Sequence, residues 1–145
     1  MNEKVVSTMR RILIIDDEPQ YRILMQRLLE EAGYQAETAP GGKSGLKLFD
    51  GLSYDLVITD MLMSDMDGVA VIQALQSNAI KPAILVVSGG VKMVSVQHLL
   101  ELAEDFEVES VLAKPFSGQV FLEAVKAILP NRPSKKSQPS SITAI

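Results

Sequence analysis

An unbroken apolar run, Leu56-Val57-Ile58, ends after Thr59 in a carboxylate, Asp60, and then passes through a loop to the turn pair Asp67-Gly68 and a new helical pattern. Continuous β-branched and aliphatic residues without alternation mark a strand buried on both faces, as in the centre of a parallel sheet. Asp67-Gly68 is a turn signal. Asp60 therefore stands at the C-terminal end of a buried strand, where open α/β sheets keep their sites. Taken alone, such an aspartate is as well suited to capping the next helix as to chemistry, so the question is what else arrives beside it.

The rest of the chain repeats the pattern. Arg11-Ile12-Leu13-Ile14-Ile15 is a short apolar run ending in Asp16-Asp17-Glu18. Pro19 suits the first turn of a helix, Asp17 its cap and Gly33 its end, with Leu24, Leu28 and Ala32 at helical spacing between them. Gln35 to Thr38 reads as a second strand, Pro40-Gly41-Gly42 as a turn, and Leu46, Phe49 and Leu52 as the stripe of a second helix. Val69, Ile72 and Leu75 mark a third helix ending near Asn78, and Ala83 to Val87 a fourth strand running into Ser88-Gly89-Gly90. Val96, Leu99, Leu100, Ala103 and Phe106 share a face of a fourth helix, and Ser110 to Ala113 form a fifth strand before Lys114-Pro115-Phe116. Ser117 caps a last helix carrying Val120, Phe121, Ala124, Val125 and Ile128 as far as Leu129.

Five strands alternating with five helices predict an α/β fold, a doubly wound parallel sheet of flavodoxin-like order 2-1-3-4-5. In that order Asp16 and Asp17 lie beside Asp60, Ser88 on its other flank, and Lys114 at the end of the fifth strand. Residues 1–9 read as a flexible lead-in, 10–129 as one folded domain, and 130–145, rich in Ser and Pro with no apolar stripe, as a disordered tail. With nothing after Leu129 able to fold, the expectation is a stand-alone domain.

Composition narrows the chemistry. There is no cysteine, which excludes disulfides and thiolate metal sites, and His98 is the only histidine, placed off the apolar face of its helix as a solvated residue. Any metal is therefore held by oxygen, which favours magnesium, calcium or manganese. From Pro130 onward there are three bases and no acid, leaving 11 bases against 18 acids in the body. That balance argues against a nucleic-acid-binding surface. No run reaches membrane-spanning length and the N-terminus lacks a secretory apolar segment, so the expected address is cytoplasmic, without membrane partners.

Three carboxylates crowded at one sheet edge repel one another unless a cation neutralises them. Magnesium suits that need, because it takes few protein oxygens and leaves coordination open for a phosphoryl oxygen. Asp60 can then act as a nucleophile toward phosphorus, with the Lys114 ammonium, the Ser88 hydroxyl and nearby backbone N–H groups around the transferred group.

Taken in order, Asp16-Asp17, Asp60, Ser88 and Lys114-Pro115 on successive strand ends resemble the receiver domain of two-component response regulators, over roughly Arg10 to Leu129. The resemblance implies that Asp60 is the phospho-acceptor, served by a sensor histidine kinase or histidine phosphotransfer protein. It implies Asp17 as a direct Mg2+ ligand, Asp16 as one acting through water, and the Leu62 backbone carbonyl as another ligand. Ser88 becomes the switching hydroxyl, Lys114 the phosphoryl-contacting lysine, and the Lys114-Pro115 bond cis, which proline permits at about 0.5 to 1 kcal/mol. The chain would then be a phosphorylation-controlled binding module and not an enzyme. Its output would run to a protein target or a second copy through the fourth helix, fifth strand and last helix.

Some positions depart from that pattern. Ser64 stands where receivers usually place proline, four residues after the acceptor, and Val111 where many carry an inward-swinging Tyr or Phe. Glu107 occupies a position where the helix often ends in glycine, so it either adopts a left-handed conformation or the helix ends differently. The Ser88 to Lys114 span is longer than in compact receivers, which moves the expected signal route into the Ser88 to Ser95 loop and the helix after it. Met61, Met63 and Met66 read as gap fillers. Three other functions compete: a phosphorylation-independent scaffold of the same fold, a magnesium-dependent aspartyl phosphatase, whose Asp-x-Asp motif is here Asp16-Asp17-Glu18, and a flavin binder, disfavoured by the scarcity of aromatics.

Overall fold

The computed structural model describes residues 9–51, 53–61, 63–89, 101 and 104–129. Five strands, β1 (Arg11–Ile15), β2 (Gln35–Ala39), β3 (Leu56–Asp60), β4 (Ala83–Ser88) and β5 (Ser110–Ala113), form one parallel sheet in the order β2-β1-β3-β4-β5. The helices are α1 (Pro19–Glu31), α2 (Gly42–Gly51), α3 (Gly68–Gln76), α4, helical at Glu101 and at 104–106, and α5 (Gly118–Ile128). This is the flavodoxin-like fold that the sequence predicts. No helix among the described residues is long and apolar enough to cross a membrane.

Side-chain alternation along each central strand divides the core in two. Ile12, Ile14, Leu56, Ile58, Leu85 and Val87 point to one face, where Met25 and Leu29 of α1 and Phe121, Val125 and Ile128 of α5 cover them. Leu13, Ile15, Val57, Ile84 and Val86 point to the other, against Phe49 of α2 and Val71, Ile72 and Leu75 of α3. Both faces are covered, so β1, β3 and β4 read as continuous apolar runs. Each fully buried aliphatic side chain contributes about 1.5 to 3 kcal/mol through its removal from water.

Local expectations hold in part. Gly33 sits at φ 97°, in the left-handed region that ends α1, and Ser117 Oγ accepts the Val120 N–H at 3.1 Å to begin α5. The α1 stripe is displaced by one residue: Met25 and Leu29 are fully buried, while Leu24 is 39 % exposed. Leu28, one position before Leu29, packs at the margin of the core. Nor does Asp17 cap α1. The N-cap residue is Glu18, whose side chain makes no capping bond, and its N–H is instead satisfied by Asp16 Oδ1 at 2.9 Å. On α5, Val120 is largely solvent-facing, leaving Phe121, Val125 and Ile128 as the buried stripe. Glu107 takes the left-handed option, at φ 56°. His98, the Ser88 to Ser95 loop beyond Gly89, the lead-in before Met9 and the tail after Leu129 lie outside the described residues.

Candidate functional site

The register carries the acids to one edge. Ile15 pairs with Thr59, and Asp60 with Val87, so the residues just beyond β1, at the end of β3 and at the end of β4 are neighbours. Asp16 is fully buried and Asp60 nearly so. Carboxylate oxygens of Asp16, Asp17 and Asp60 lie within 4.8 Å of one another, as the strand order predicts. Ser88 is buried at the end of β4, paired with Ala113. Leu62, the remaining expected ligand, lies outside the described residues.

Lys114 enters this edge from β5. Its N–H donates to the Ser88 carbonyl at 2.8 Å, anchoring the backbone, and its Nζ reaches Asp16 Oδ2 at 2.9 Å, Glu18 Oε1 at 2.6 Å and Asp60 Oδ2 at 3.0 Å. The aliphatic stem fills the space over Gly89, where any Cβ would collide with it. The ammonium also lies 4.3 Å from the centre of the Tyr21 ring, a cation–π contact, and Tyr21 continues through Phe116 to Phe121 at centroid spacings of 5.4 and 5.5 Å. Burial works against the ammonium, but its contacts with Glu18, Asp16 and Asp60 outweigh that and raise its pKa above the ordinary lysine value. The Lys114-Pro115 bond is cis, as the resemblance implies.

Two of these partners, Glu18 and Tyr21, escaped the sequence reading. Glu18 had a signal, its adjacency to the Asp16-Asp17 pair. Tyr21 had none, because only the packing of α1 beside α5 brings its ring to Phe116 and the Lys114 ammonium.

The residues present suit a divalent cation. Asp16 Oδ2 is buried and accepts no well-directed hydrogen bond, although Lys114 Nζ lies beside it. An oxygen so placed within a three-carboxylate cluster is a ready ligand for a hard cation.

The β3–α3 loop is fastened on both flanks. Ser64 N–H donates to Asp17 Oδ2 at 3.1 Å, and the Asp65 carboxylate accepts from Gly42 N–H at 3.0 Å and Lys43 N–H at 3.1 Å, so Asp65 caps α2 from a distant loop. Asp67 caps α3 through the Val69 N–H. Capping the helix is thus the work of Asp67, which leaves Asp60 to the acidic cluster. Gly68 is required here, since a Cβ would run into the Asp60 and Met61 backbone. Met61 is buried, and Met63 and Met66 pack at the margin of the α2/α3-side core, as gap fillers.

The N–H bonds from Lys43 and Gly42 hold Asp65 below the usual carboxylate range. A depressed folded pKa gives stability that is present above the unfolded carboxylate range and is lost as pH falls through the folded value. Asp65→Ala should therefore lower the urea midpoint at pH 7 and make the midpoint less sensitive to acidification. Urea unfolding of both proteins between pH 7 and pH 3 checks this, and parallel pH profiles would contradict it.

Comparisons with known proteins agree with the fold. The chain is 31 % identical over 121 residues to the probable chemotaxis protein CheY of Rhizobium etli, covering 81 % of this chain and 91 % of that protein. It is 30 % identical to the transcriptional regulatory protein RprY of Bacteroides fragilis, covering all of this chain but 58 % of RprY. It is 33 % identical to the Bacillus subtilis regulatory protein PhoP, of which it spans 52 %, so against these two regulators the chain matches little more than half their length. Among solved structures, the Thermotoga maritima response regulator TrrA in complex with Mg(2+)-BeF superposes with TM-score 0.71 at 30 % identity, over 83 % of this chain and all of that one. Vibrio cholerae CheY4 gives TM-score 0.73 at 26 % identity, over 83 % and 99 %. Residues 12–126 match the sequence model of the response regulator receiver domain, and with these relatives and this fold the chain belongs to that family of signalling domains.

Proposed function

We propose that Asp60 accepts a phosphoryl group from the phosphohistidine of a sensor kinase or phosphotransfer protein, and that the resulting change of charge at the sheet edge alters which protein the domain binds. The observation that carries this reading is the meeting of Asp16, Asp17 and Asp60 with the Lys114 ammonium at one edge. Asp16, Asp17 and Asp60, with the Leu62 carbonyl, would hold Mg2+, which supplies positive charge to screen the incoming phosphoryl oxygens. An Asp60 carboxylate oxygen bonds to phosphorus as the donor's N–P bond breaks, and the electron pair stays with the imidazole nitrogen. Lys114, already tethered at its backbone to Ser88, swings its ammonium from the carboxylates to a phosphoryl oxygen. Ser88, at the end of the adjacent strand, offers its hydroxyl to another.

We place the functional domain at residues 10–129 and its setting in the cytoplasm, where phosphohistidine donors are charged from ATP. Output would pass through the segment after Ser88 to the face of α4, β5 and α5, and no nucleic-acid or membrane contact is invoked. Val111 is half-buried against the α2/α3-side core, a small residue where a switching aromatic would otherwise sit, which favours that segment as the route.

The test is intact mass after incubation with acetyl phosphate. Wild type should gain one phosphoryl group with magnesium and none with chelator, and Asp60→Asn should gain none. Equal labelling of the variant, or labelling indifferent to chelation, would overturn the assignment.

A further inference from the structure

Resting on the reading of Asp16, Asp17 and Asp60 as a divalent-cation site, we infer that the backbone N–H of Ser64 is the positioning group for Asp17 and couples cation binding to the order of the β3–α3 loop. Asp17 is half-buried, lies just beyond β1, and is not engaged as a helix cap. What orients its carboxylate is a donor 47 residues away, Ser64 N–H on Oδ2 at 3.1 Å. A proline at position 64 has no N–H and cannot make this bond. The departure from the usual receiver residue therefore supplies a hydrogen bond to a cation ligand that the usual residue lacks.

The bond acts in two directions. It removes rotational freedom from the Asp17 side chain before a cation arrives, which is preorganisation of a ligand by a second group. In return, a cation that holds Asp17 in place holds Ser64, and with it part of the wall of a hollow of about 620 Å³ lined by Asp17, Met63, Ser64 and Asp65 among others. By linkage, the cation on Asp17 and the Ser64–Asp17 bond strengthen each other by the same factor. The flanking fastening through Asp65 runs to α2 and touches no member of the acidic cluster, so the two fastenings can be separated by mutation.

The experiment is a Mg2+ titration followed by backbone amide NMR on wild type, Ser64→Ala, Ser64→Pro and Asp65→Ala. Ser64→Ala keeps the N–H and should bind within about twofold of wild type, whereas Ser64→Pro should bind roughly five- to tenfold more weakly. Asp65→Ala, which loosens the loop while keeping the Ser64 donor, should bind within about threefold of wild type. In wild type, Mg2+ should slow hydrogen exchange at the Ser64 amide, and Asp17→Ala should speed it, a readout that survives even if the proline variant does not fold. Equal affinities for Ser64→Pro and wild type, the same loss in Asp65→Ala as in Ser64→Pro, or a Ser64 amide indifferent to both Mg2+ and Asp17→Ala would each overturn the inference. Absence of any saturable Mg2+ response in wild type would instead overturn the cation-site reading, and the inference with it.

Discussion

Replacing Lys114 with methionine should destabilise the metal-free protein by about 3 kcal/mol at pH 7, and magnesium should recover much of that loss. Methionine keeps most of the stem that packs over Gly89 and removes the ammonium. The lysine side chain is 4 % exposed and its Asp16 and Asp60 partners are as deeply buried, so its charge is the local compensation for carboxylates removed from water. Breaking a buried pair by deleting one partner costs about 3 to 5 kcal/mol, because the other charges stay behind. The lower end applies here, since Glu18 is 46 % exposed and water replaces much of what its pair contributes. A divalent cation at the cluster supplies the missing positive charge, so the variant should also bind magnesium more tightly than wild type. Asp60→Asn, which under the proposed function abolishes phosphoryl acceptance, should stabilise the metal-free Lys114→Met protein. Urea unfolding of the four combinations, with and without magnesium, gives the coupling directly as a double-mutant cycle. A Lys114→Met protein within about 0.5 kcal/mol of wild type, or a double variant no more stable than the single one, would show that the ammonium is not compensating these charges.

That prediction departs from what the sequence suggests. By resemblance Lys114 is a phosphoryl contact, reserved for the phosphorylated state. In the structure it lies on Asp16 and Asp60, two members of the proposed cation set, and so would compete with a cation for them. The location was legible, because a basic residue ending the fifth strand of a 2-1-3-4-5 sheet must reach the same edge as Asp16 and Asp60. The partner list was not, because Glu18 and Lys114 are 96 residues apart and nothing local to either says which rotamer brings Nζ to Oε1.

The same distinction runs through the rest of the chain. The strands announced themselves because each central one is buried on both faces and carries a run of at least three consecutive apolar residues. The α1 stripe was misread by one position because Leu24 and Met25, and Leu28 and Leu29, are adjacent apolar pairs, and periodicity cannot choose between frames 100° apart on a helix. Docking onto β1 and β2 makes that choice, burying Met25 and Leu29. The Asp17 assignment failed for a related reason: aspartate before Pro19 is a good cap by composition, but its carboxylate turned toward a donor in another loop. Local propensity set the elements, while bonds between elements set what the polar side chains do.

Phe121→Ala should cost about 3 to 5 kcal/mol, the largest loss expected of a single truncation in this domain. Phe121 is the largest of the fully buried side chains, at the centre of the core between the sheet and α1 and α5. Its ring stacks on Phe116 at 5.5 Å, and such pairs add about 0.5 to 1.5 kcal/mol beyond the area they bury. Phe116 in turn leans on Tyr21, whose ring lies under the Lys114 ammonium. The ladder therefore supports the segment just after β5 from below, and a cavity at its base should loosen Lys114 as well as the core. Two further variants separate these effects. Phe121→Leu keeps much of the volume and should cost about 1.5 kcal/mol or less, whereas Tyr21→Leu leaves the deep core filled and removes the cation–π contact, for about 1 kcal/mol. Against a total stability of about 5 to 15 kcal/mol, Phe121→Ala can leave the protein barely folded, so urea unfolding is best read at low temperature and with magnesium present. If Phe121→Ala costs less than Tyr21→Leu, the ladder is not anchored in the core, and Lys114 is held by its carboxylates and its backbone bond to Ser88 instead. Provided the variant is folded, Asp60 labelling by acetyl phosphate should persist, because Asp60 belongs to β3 and is held in register by its pairing with Val87 of β4.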